Sequence, residues 1–478
     1  MMNKIFKKIL LAVFIFISVS NIYSQADQGI NAAKSGDYVR AVNLLKSVVG
    51  SENSYEAYYY YGLALLNTGS VNLAETNFMK ALKLDDEGVE ALSGLGDLYS
   101  KKKEYDKADS YYKKALKIEP ENVQVMLSEA KNLTVAGKID DALPVLALAK
   151  SISKDDPNVY VGLGDAYYFR RAFDPAEENY NEALKLRANN PKAHFGLGQI
   201  HFRQKEYTEA LNQYNEAIKD NPNFADAYLE KGRLLYFNEN YDEALKAFEM
   251  YSKLQPGNVD ALTYIAKVKY GQKKYDEAQQ ILEKVIAENP KEDLGSAYKY
   301  LAYVYNEKEE YDKALEYFSK VPKTIFDTED YVKLAQIYFN KKDFENAYKY
   351  FDEALEIDST DHTVFYQLAL IQFNNKKYEK AIENFDRSIR LGSKQLAAYV
   401  YKGLSLYSLQ KYNEALEAFN MANQIDNAYV PSWLWKARTE VALDKIEDAQ
   451  ASYKRVLELD PDNASAKEDM EILVKKPE

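Results

Sequence analysis

A pattern of small residues that recurs about every 34 positions constrains this chain more than any other feature. In the segment Tyr207-Thr208-Glu209-Ala210, an aromatic residue precedes an alanine by three positions, and equivalent alanines occur along almost the whole sequence. They are Ala41, Ala74, Ala108, Ala142, Ala176, Ala210, Ala244, Ala278, Ala314, Ala347, Ala381, Ala415 and Ala449. Spacings this regular argue against several unrelated globular domains and predict thirteen copies of one structural unit.

We call this series of alanines the alanine ladder, and two further series of residues recur in phase with it. The position twelve residues earlier holds only glycine or alanine, as at Gly164, Gly198 and Ala266. The position four residues later is large and apolar or aromatic, as at Tyr180 and Phe248. A glycine inside a helix costs about 1 kcal/mol relative to alanine, so small residues there need a packing reason. The ladders therefore predict two closely packed helices in each unit, with the large residue filling the groove between neighbouring units.

The unit itself reads as helix, turn, helix. Turn residues such as Lys205-Glu206 separate the two helical stretches, and a proline frequently follows the second stretch, where it stops the helix. These prolines are Pro120, Pro222, Pro256, Pro290 and Pro461. In these features residues 22–463 resemble the tetratricopeptide repeat family. The resemblance implies an all-α solenoid, a right-handed superhelix whose concave face is lined by the first helix of every unit.

The N-terminus has the composition of a secretory signal. Lys4, Lys7 and Lys8 form a basic region, and an apolar run of eleven residues follows at 9–19. That run is too short to cross about 30 Å of hydrocarbon, which argues against a retained anchor. We predict a signal peptide at residues 1–24, with cleavage after Ser24 or Ala26. We therefore expect an exported bacterial protein, periplasmic or extracellular, whose mature chain has no transmembrane segment.

The repeat spacing also predicts the domain organisation. Residues 25–290 hold repeats 1–8, residues 328–463 hold repeats 10–13, and residues 464–478 form a capping helix and tail. Repeat 9, residues 291–327, is irregular, because its spacing is two residues longer and Pro322 falls within its second helix. We expect a bend or a change of superhelical phase in the array between residues 288 and 330.

Catalysis is not predicted. The repeats leave no stretch large enough for a catalytic domain, and the three histidines are not arranged at metal-ligand spacing. Glycine pairs such as Gly162-Leu163-Gly164 recur with the repeat period and follow no predicted strand, so they indicate packing instead of nucleotide binding. The chain has no cysteine and a net charge of −12, which argue against thiolate metal sites and against nucleic acid as a partner. No enzyme activity, cofactor or metal ion is therefore expected.

The resemblance places partner binding on the first helices, on residues that point away from the second helix. Eight residues before each alanine is one such position, and aromatics cluster there in the middle and later repeats. This aromatic stripe consists of Tyr168, Phe202, Tyr236, Tyr270, Phe339, Phe373 and Tyr407. Phe195 and Tyr366 lie one or two turns earlier in their helices and widen it. Two interpretations stay open: a ligand-binding surface, since aromatics are favoured at interfaces, or aromatics inherited with the scaffold.

Three functions are compatible with this sequence. The first is an envelope adaptor that binds a protein or peptide along its groove, and the second is a subunit of an export, polymer-synthesis or surface-assembly machine. The third is a carbohydrate-binding protein, for which stacked tyrosines would be the physical basis. Charges on the first helices are mixed, with Arg203, Arg233 and Lys267 against Asp97, Asp165 and Glu230. They predict neither the identity of the partner nor the oligomeric state.

Overall fold

The structure, a computed structural model, describes residues 24–50, 54–290, 293–392 and 395–475. The predicted signal peptide, apart from Ser24, lies outside these ranges. The described residues form helices and turns without a strand, and no described helix is long and apolar enough to cross a membrane. The predicted all-α tandem architecture is thus confirmed for the described part of the chain. It divides into two compact units, Met1–Pro256 and Gly257–Glu478, which we call the N-terminal and C-terminal units.

The N-terminal unit contains repeats 1–7, and each repeat is a pair of antiparallel helices that follow one another in the sequence. The helices are α1 (24–34), α2 (Tyr38–Val48), α3 (Tyr55–Asn67), α4 (Val71–Leu84), α5 (Val89–Lys101), α6 (Tyr105–Ile118), α7 (Val123–Val135), α8 (Ile139–Ile152), α9 (Pro157–Phe169), α10 (Phe173–Leu186), α11 (Pro191–Arg203), α12 (Tyr207–Asp220), α13 (Ala225–Phe237) and α14 (Tyr241–Leu254). Odd numbers denote the first helix of a repeat and even numbers the second.

The C-terminal unit contains repeats 8–13 and one further helix. The helices are α15 (Val259–Gly271), α16 (Tyr275–Glu288), α17 (Gly295–Glu307), α18 (Tyr311–Phe318), α19 (Thr328–Asn340), α20 (Phe344–Ile357), α21 (His362–Asn374), α22 (Tyr378–Arg390), α23 (Leu396–Ser408), α24 (Tyr412–Ile425), α25 (Val430–Ala442), α26 (Ile446–Leu459) and α27 (Ala464–Lys475). Ala466 and Leu473 of α27 are buried against the last repeat, where their cluster includes Tyr453.

Within each unit, the helices contact one another in a repeating order. The two helices of a repeat pack together, and the second helix packs on the first helix of the next repeat. First helices of successive repeats also contact each other. In the N-terminal unit, for example, α3 contacts α5, α7 contacts α9, and α9 contacts α11. The first helices therefore form a continuous surface along these repeats, while the alanine ladder is buried between the helices of each pair.

The small residues of the first helices make room for aromatic rings. Tyr180 is fully buried, and an ideal Cβ added to Gly164 would lie 2.5 Å from its Cε1. A Cβ added to Gly196, in the next repeat, would lie 2.2 Å from Cζ of the same ring. The packing role of the paired glycines is confirmed. They leave space for a ring, however, and not chiefly for a second helix backbone, so one ring joins two repeats.

Every turn between the two helices of a repeat contains one residue in the left-handed conformation. It lies five residues before the ladder alanine and is glycine only at Gly36, Gly69 and Gly137. The other ten are Lys103, Arg171, Lys205, Glu239, Lys273, Glu309, Lys342, Lys376, Gln410 and Asp444, with φ between 57° and 65°. This conformation lets the following backbone N–H groups satisfy the last carbonyls of the first helix, as Glu104 N–H does for the Tyr99 oxygen at 2.9 Å.

Repeat 9 departs from the pattern. Its second helix, α18, has 8 residues, against 14 in its neighbours α16 and α20. The chain leaves this helix at Phe318, passes Pro322 and a 3₁₀ turn at Lys323–Ile325, and enters α19 after a capping box formed by Asp327 and Asp330. Proline disfavours a helical conformation in the residue before it, which explains why α18 does not continue to Pro322. The expected bend remains a prediction.

Candidate functional site

All seven residues of the aromatic stripe occupy one structural position, the penultimate residue of a first helix. Each ring contacts the ring of the first residue of the second helix, across the turn, with ring centroids 5.3–5.9 Å apart. The pairs are Tyr168–Phe173, Phe202–Tyr207, Tyr236–Tyr241, Tyr270–Tyr275, Phe339–Phe344, Phe373–Tyr378 and Tyr407–Tyr412. Every ring of the aromatic stripe thus packs against the second helix of its own repeat.

This arrangement differs from the expectation that stripe residues point away from the second helix. They lie so close to the turn that the first residue of the second helix is within ring contact. Six of the seven side chains are half-buried, and Phe202 is exposed, with 37 % of its surface accessible. Part of each ring is thus accessible to solvent, and partner binding by the stripe remains a prediction.

Phe195 and Tyr366 are both half-buried and packed on second-helix rings. The Phe195 ring lies between Tyr214 of its own repeat, at 5.8 Å, and Phe224 of the next, at 5.2 Å. Tyr366 packs on Phe385 at 6.1 Å, and burial raises the pKa of its hydroxyl. Both residues therefore join elements of the solenoid, and neither is brought into ring contact with the stripe.

Two of the first-helix acids are engaged inside the scaffold. The Tyr112 hydroxyl donates to Asp97 and the Tyr180 hydroxyl donates to Asp165, each at 2.7 Å. Burial raises the pKa of Asp165 to about 6, against the opposing effects of the Tyr180 hydrogen bond and the nearby Lys192 and Lys131. Burial raises the pKa of Asp97 as well. Each acid thus accepts a hydrogen bond from a buried tyrosine through one carboxylate oxygen, although Asp97 is itself exposed and Asp165 is half-buried.

Replacing Asp165 by asparagine should change how stability depends on pH. The folded pKa of Asp165 lies above its unfolded value, so the folded state binds the proton first as the pH falls. Protonation of Asp165 should contribute stability as the pH falls from 7 to 4, and this contribution should be absent in Asp165→Asn. We expect the variant to be more stable than the parent at pH 7 by about 1–2 kcal/mol, with the difference vanishing near pH 4. Urea unfolding at both pH values measures this.

The control for that experiment is Asp140→Asn. Asp140 is 85 % exposed and pairs with Arg170 on the surface, so its replacement should shift stability by less than about 0.5 kcal/mol at both pH values. A stabilisation in Asp165→Asn that is equal at pH 4 and pH 7 would contradict the assignment of a raised pKa to Asp165.

The two arginines on the first helices of repeats 6 and 7 differ in their interaction partners. Arg233 pairs with Glu230 at 2.9 Å in its own helix. Arg203 donates from Nε to the Tyr168 hydroxyl at 3.3 Å, and among the described residues no carboxylate oxygen lies within 4 Å of its guanidinium group. Arg203 is thus a surface cation oriented by an aromatic hydroxyl.

The last residue of the first helix is a position that the sequence reasoning missed. It lies seven residues before the ladder alanine, and it is apolar and exposed at Val135, Phe169 and Phe237, with accessible fractions of 48, 55 and 64 %. Arg203 occupies the same position in repeat 6. The sequence could have revealed this position, because all other repeats have a polar or small residue seven positions before the ladder alanine. We call Val135, Phe169, Phe202 and Phe237 the apolar edge.

A cluster of tyrosines and lysines joins three first helices in the C-terminal unit. Tyr270, Tyr300 and Tyr303 form a triangle of rings with centroids 5.3–5.9 Å apart. The Lys333 ammonium lies 4.7 Å from the Tyr303 centroid, and the Tyr270 hydroxyl donates to Glu307 at 3.0 Å. The cluster connects repeats 8, 9 and 10 with most of its polar groups already paired.

Beneath this cluster, Lys299 forms an internal ion pair. Its ammonium lies 2.6 Å from an oxygen of Asp330, which is fully buried, and 2.8 Å from Asp327. The Tyr303 hydroxyl donates to the other Asp330 oxygen at 2.8 Å. These bonds attach α17 to the capping box of α19 across the irregular second helix of repeat 9. No described group of three or more His, Asp or Glu side chains is arranged to hold a metal ion.

Comparison with known families agrees with the repeat pattern. Models described as tetratricopeptide repeat match residues 26–85, 161–217 and 366–429, residues 235–298 and 269–337, residues 89–122, and residues 430–463. A model described as TPR repeat matches 198–238, and the model of the anaphase-promoting complex, cyclosome, subunit 3 matches 307–388. The repeat models together match well over half of the chain.

A curated relative is anaphase-promoting complex subunit 3 of Schizosaccharomyces pombe, which is 26 % identical over 165 residues, 34 % of this chain. The chain spans 25 % of that protein's length. Similar solved structures include the APC/C hetero-tetramer Cut9–Hcn1, with TM-score 0.47 and 13 % identity over 97 % of this chain and 98 % of that one. Yeast Tom70 has TM-score 0.37 and 16 % identity, over 88 % of this chain and 95 % of that one.

Arrays of such repeats are protein–protein interaction scaffolds, in which stacked repeats present an extended binding surface. Three ladders in phase, the helix pairs that they build and the repeat models that match them all lead to the same assignment. The chain belongs to the tetratricopeptide repeat family.

Proposed function

We propose that this protein is a non-catalytic adaptor of the bacterial cell envelope that binds protein or peptide partners along its first helices. The observation that carries the proposal is that successive first helices contact one another, from α3 to α11 in the N-terminal unit and from α15 to α19 and α21 to α25 in the C-terminal unit. These helices carry six of the seven stripe residues, all but Tyr236, and a cation, Arg203, whose hydrogen bond is to a tyrosine hydroxyl. Aromatic rings and arginine are the side chains most enriched at protein interfaces.

The envelope location rests on the N-terminal sequence. A basic region with Lys4, Lys7 and Lys8 precedes a short apolar run, as in secretory signals. The absence of cysteine from the sequence suits an oxidising compartment, because no free thiol is at risk of oxidation there. A chain with net charge −12 also favours partners other than nucleic acid.

A second candidate is a structural subunit of an envelope assembly. It is favoured by the match of residues 307–388 to the model of a complex subunit, subunit 3 of the anaphase-promoting complex. The two candidates differ in stoichiometry. A free adaptor purifies alone under mild conditions, whereas an assembly subunit purifies with the same partners in a fixed ratio.

Affinity purification from the envelope fraction of the native cells tests the proposal. The parent should retain specific partners, and the variant Phe202→Ala/Tyr236→Ala should retain about tenfold less of them, because interface aromatics commonly contribute more than 1 kcal/mol each. Circular dichroism confirms that the variant is folded.

Two outcomes would contradict the proposal in different ways. If the folded variant keeps every partner at parental levels, the aromatic stripe is not the binding surface. If the parent itself retains nothing above an untagged control, or fractionates with the cytosol, the envelope adaptor is wrong. The matched control is Phe351→Leu, a change to a fully buried ring of a second helix, which should leave binding unchanged where the protein is folded.

A further inference from the structure

Exposed apolar side chains at the ends of first helices are confined to repeats 4–7. Val135, Phe169 and Phe237 end their helices with about half or more of their surface accessible, and Phe202 adds a fourth exposed side chain. In the other repeats the equivalent residues are Lys34, Asn67, Lys101, Gly271, Glu307, Asn340, Asn374, Ser408 and Ala442. Clustered exposed apolar surface is costly in water and marks interaction sites.

Contacts between neighbouring repeats connect the apolar edge from repeat 5 to repeat 7. The Phe237 ring lies 5.6 Å from the Tyr207 ring, which in turn contacts Phe202 at 5.8 Å. One repeat earlier, Phe169 contacts Tyr168 at 6.0 Å, and the Tyr168 hydroxyl accepts the hydrogen bond from Arg203. Aromatic rings therefore link repeats 6 and 7, and the hydrogen bond between Arg203 and Tyr168 joins repeat 5 to them in one strip.

The charge within this strip is positive. Arg203 lies between Phe169 and Phe237 in repeat order, and Tyr168 fixes its Nε. The nearby acids are already engaged, since Glu206 is 2.7 Å from His201 and Glu230 is 2.9 Å from Arg233. The cations Lys138 and Arg170 at the same turns pair with Asp106 and Asp140 of the preceding repeats. Glu230 acts on Arg203 through its charge, but it is hydrogen-bonded to Arg233. Arg203 and the exposed turn cations Arg171 and Lys205 therefore make this part of the strip positive, and Arg203 is the cation oriented by an aromatic hydroxyl.

We propose that the apolar edge binds a protein segment in which large apolar side chains flank an aspartate or glutamate. The apolar residues cover the exposed rings, and the carboxylate accepts hydrogen bonds from the terminal nitrogens of Arg203. Packed helices lie roughly 10 Å apart and an extended chain rises about 3.3 Å per residue, so the acid follows an apolar residue by about three positions. This inference deepens the proposed function by specifying the chemistry of the partner.

An anionic membrane is the alternative occupant of an edge with phenylalanine and arginine. The net charge of −12 opposes it, because the whole chain is repelled by an anionic surface. Two cations at these turns, Lys138 and Arg170, are already paired with Asp106 and Asp140, which leaves Arg171, Arg203 and Lys205 to attract headgroups. A protein segment with a single acid between apolar residues fits the strip better.

Selection from a displayed library of random twelve-residue peptides tests the proposal. The full mature chain is immobilised, and enriched peptides are sequenced for the parent, for Phe169→Ser/Phe237→Ser and for Arg203→Glu. The parent should enrich peptides with an acid about three residues from a large apolar residue. The double variant should lose that enrichment by about tenfold or more, and Arg203→Glu should exchange the acid for lysine or arginine. Leu148→Ser, at a 51 % exposed residue of a second helix, is the matched control and should select the same peptides as the parent.

Each other outcome overturns the inference. Enriched peptides that are indifferent to the phenylalanine and arginine changes would show that binding occurs elsewhere. Phosphatidylglycerol vesicles that bind the parent but not Phe169→Ser/Phe237→Ser would assign the edge to a membrane. If the parent enriches no peptide but still recovers envelope partners, the adaptor proposal is supported and peptide binding by the apolar edge is wrong. If the parent neither enriches a peptide nor recovers envelope partners, both proposals are wrong.

Discussion

Replacing Lys299 by methionine should lower the free energy of unfolding of repeats 9 and 10 by about 3 kcal/mol. Asp330 is fully buried, and Lys299 is the cation that pairs with it at 2.6 Å. Methionine preserves most of the aliphatic volume but leaves the carboxylate buried without a counter-charge. Because the same side chain also bonds Asp327 of the capping box, the start of α19 should lose protection. Hydrogen exchange over α17–α19, with urea unfolding, measures both effects.

A second change tests the cause. In Lys299→Met/Asp330→Asn the buried charge is removed together with its partner, so the double variant should recover a large part of the lost stability. Lys308→Met is the matched control, because Lys308 pairs with the 83 % exposed Asp276 and should cost less than about 0.5 kcal/mol. Equal losses for Lys299→Met and Lys308→Met would contradict the importance of the internal ion pair.

Replacing Gly196 by alanine should destabilise the N-terminal unit by about 2 kcal/mol, although alanine is the better helix former. The added Cβ would lie 2.2 Å from the fully buried Tyr180 ring. That ring cannot retreat, because Gly164 lies against its other side and Asp165 holds its hydroxyl. The clash should therefore outweigh the gain of about 1 kcal/mol in helix propensity. Thermal and urea unfolding of the full chain measure the loss.

The ring is the stated cause, so shrinking it should suppress the effect. In a Tyr180→Leu background, Gly196→Ala should be neutral or stabilising relative to Tyr180→Leu alone. Gly50→Ala is the control, since a Cβ there would meet no atom within 4 Å, and it should change stability by less than about 0.5 kcal/mol. A loss of the same size in both backgrounds would mean that Tyr180 does not set the requirement for glycine.

The ladders predicted the helix pairs because repeat period, small residues and large residues all depend on one packing geometry. They did not predict what the small residues accommodate. A ladder shows that Gly164 and Tyr180 recur in phase, but only the directions of the side chains reveal that the ring lies between Gly164 and Gly196. The same limit applies to the stripe, where spacing placed Tyr168 on the first helix without showing its contact with Phe173 across the turn.

The turns within the repeats and the irregular repeat 9 show a second limit of prediction from sequence. A left-handed residue is usually predicted from glycine, yet lysine, arginine or glutamate adopts this conformation in most repeats, because the backbone hydrogen bonds of the turn offset the local cost. At repeat 9 the sequence marked Pro322 and with it the interrupted second helix α18, but the ion pairs of Lys299 depend on residues 28 and 31 positions away. Sequence periodicity carries no information about such pairs.

Site-specific photo-crosslinking in the native cells tests the central claim, capture of a protein partner by the first helices, most directly. A benzophenone amino acid would replace Phe169 or Phe237 on first helices, and Leu148 or Leu73 on second helices, all more than half exposed. We predict a discrete crosslinked partner from the first-helix positions and none from the second-helix positions. Adducts from the second-helix positions alone, or none from any position, would contradict a scaffold that binds through its first helices.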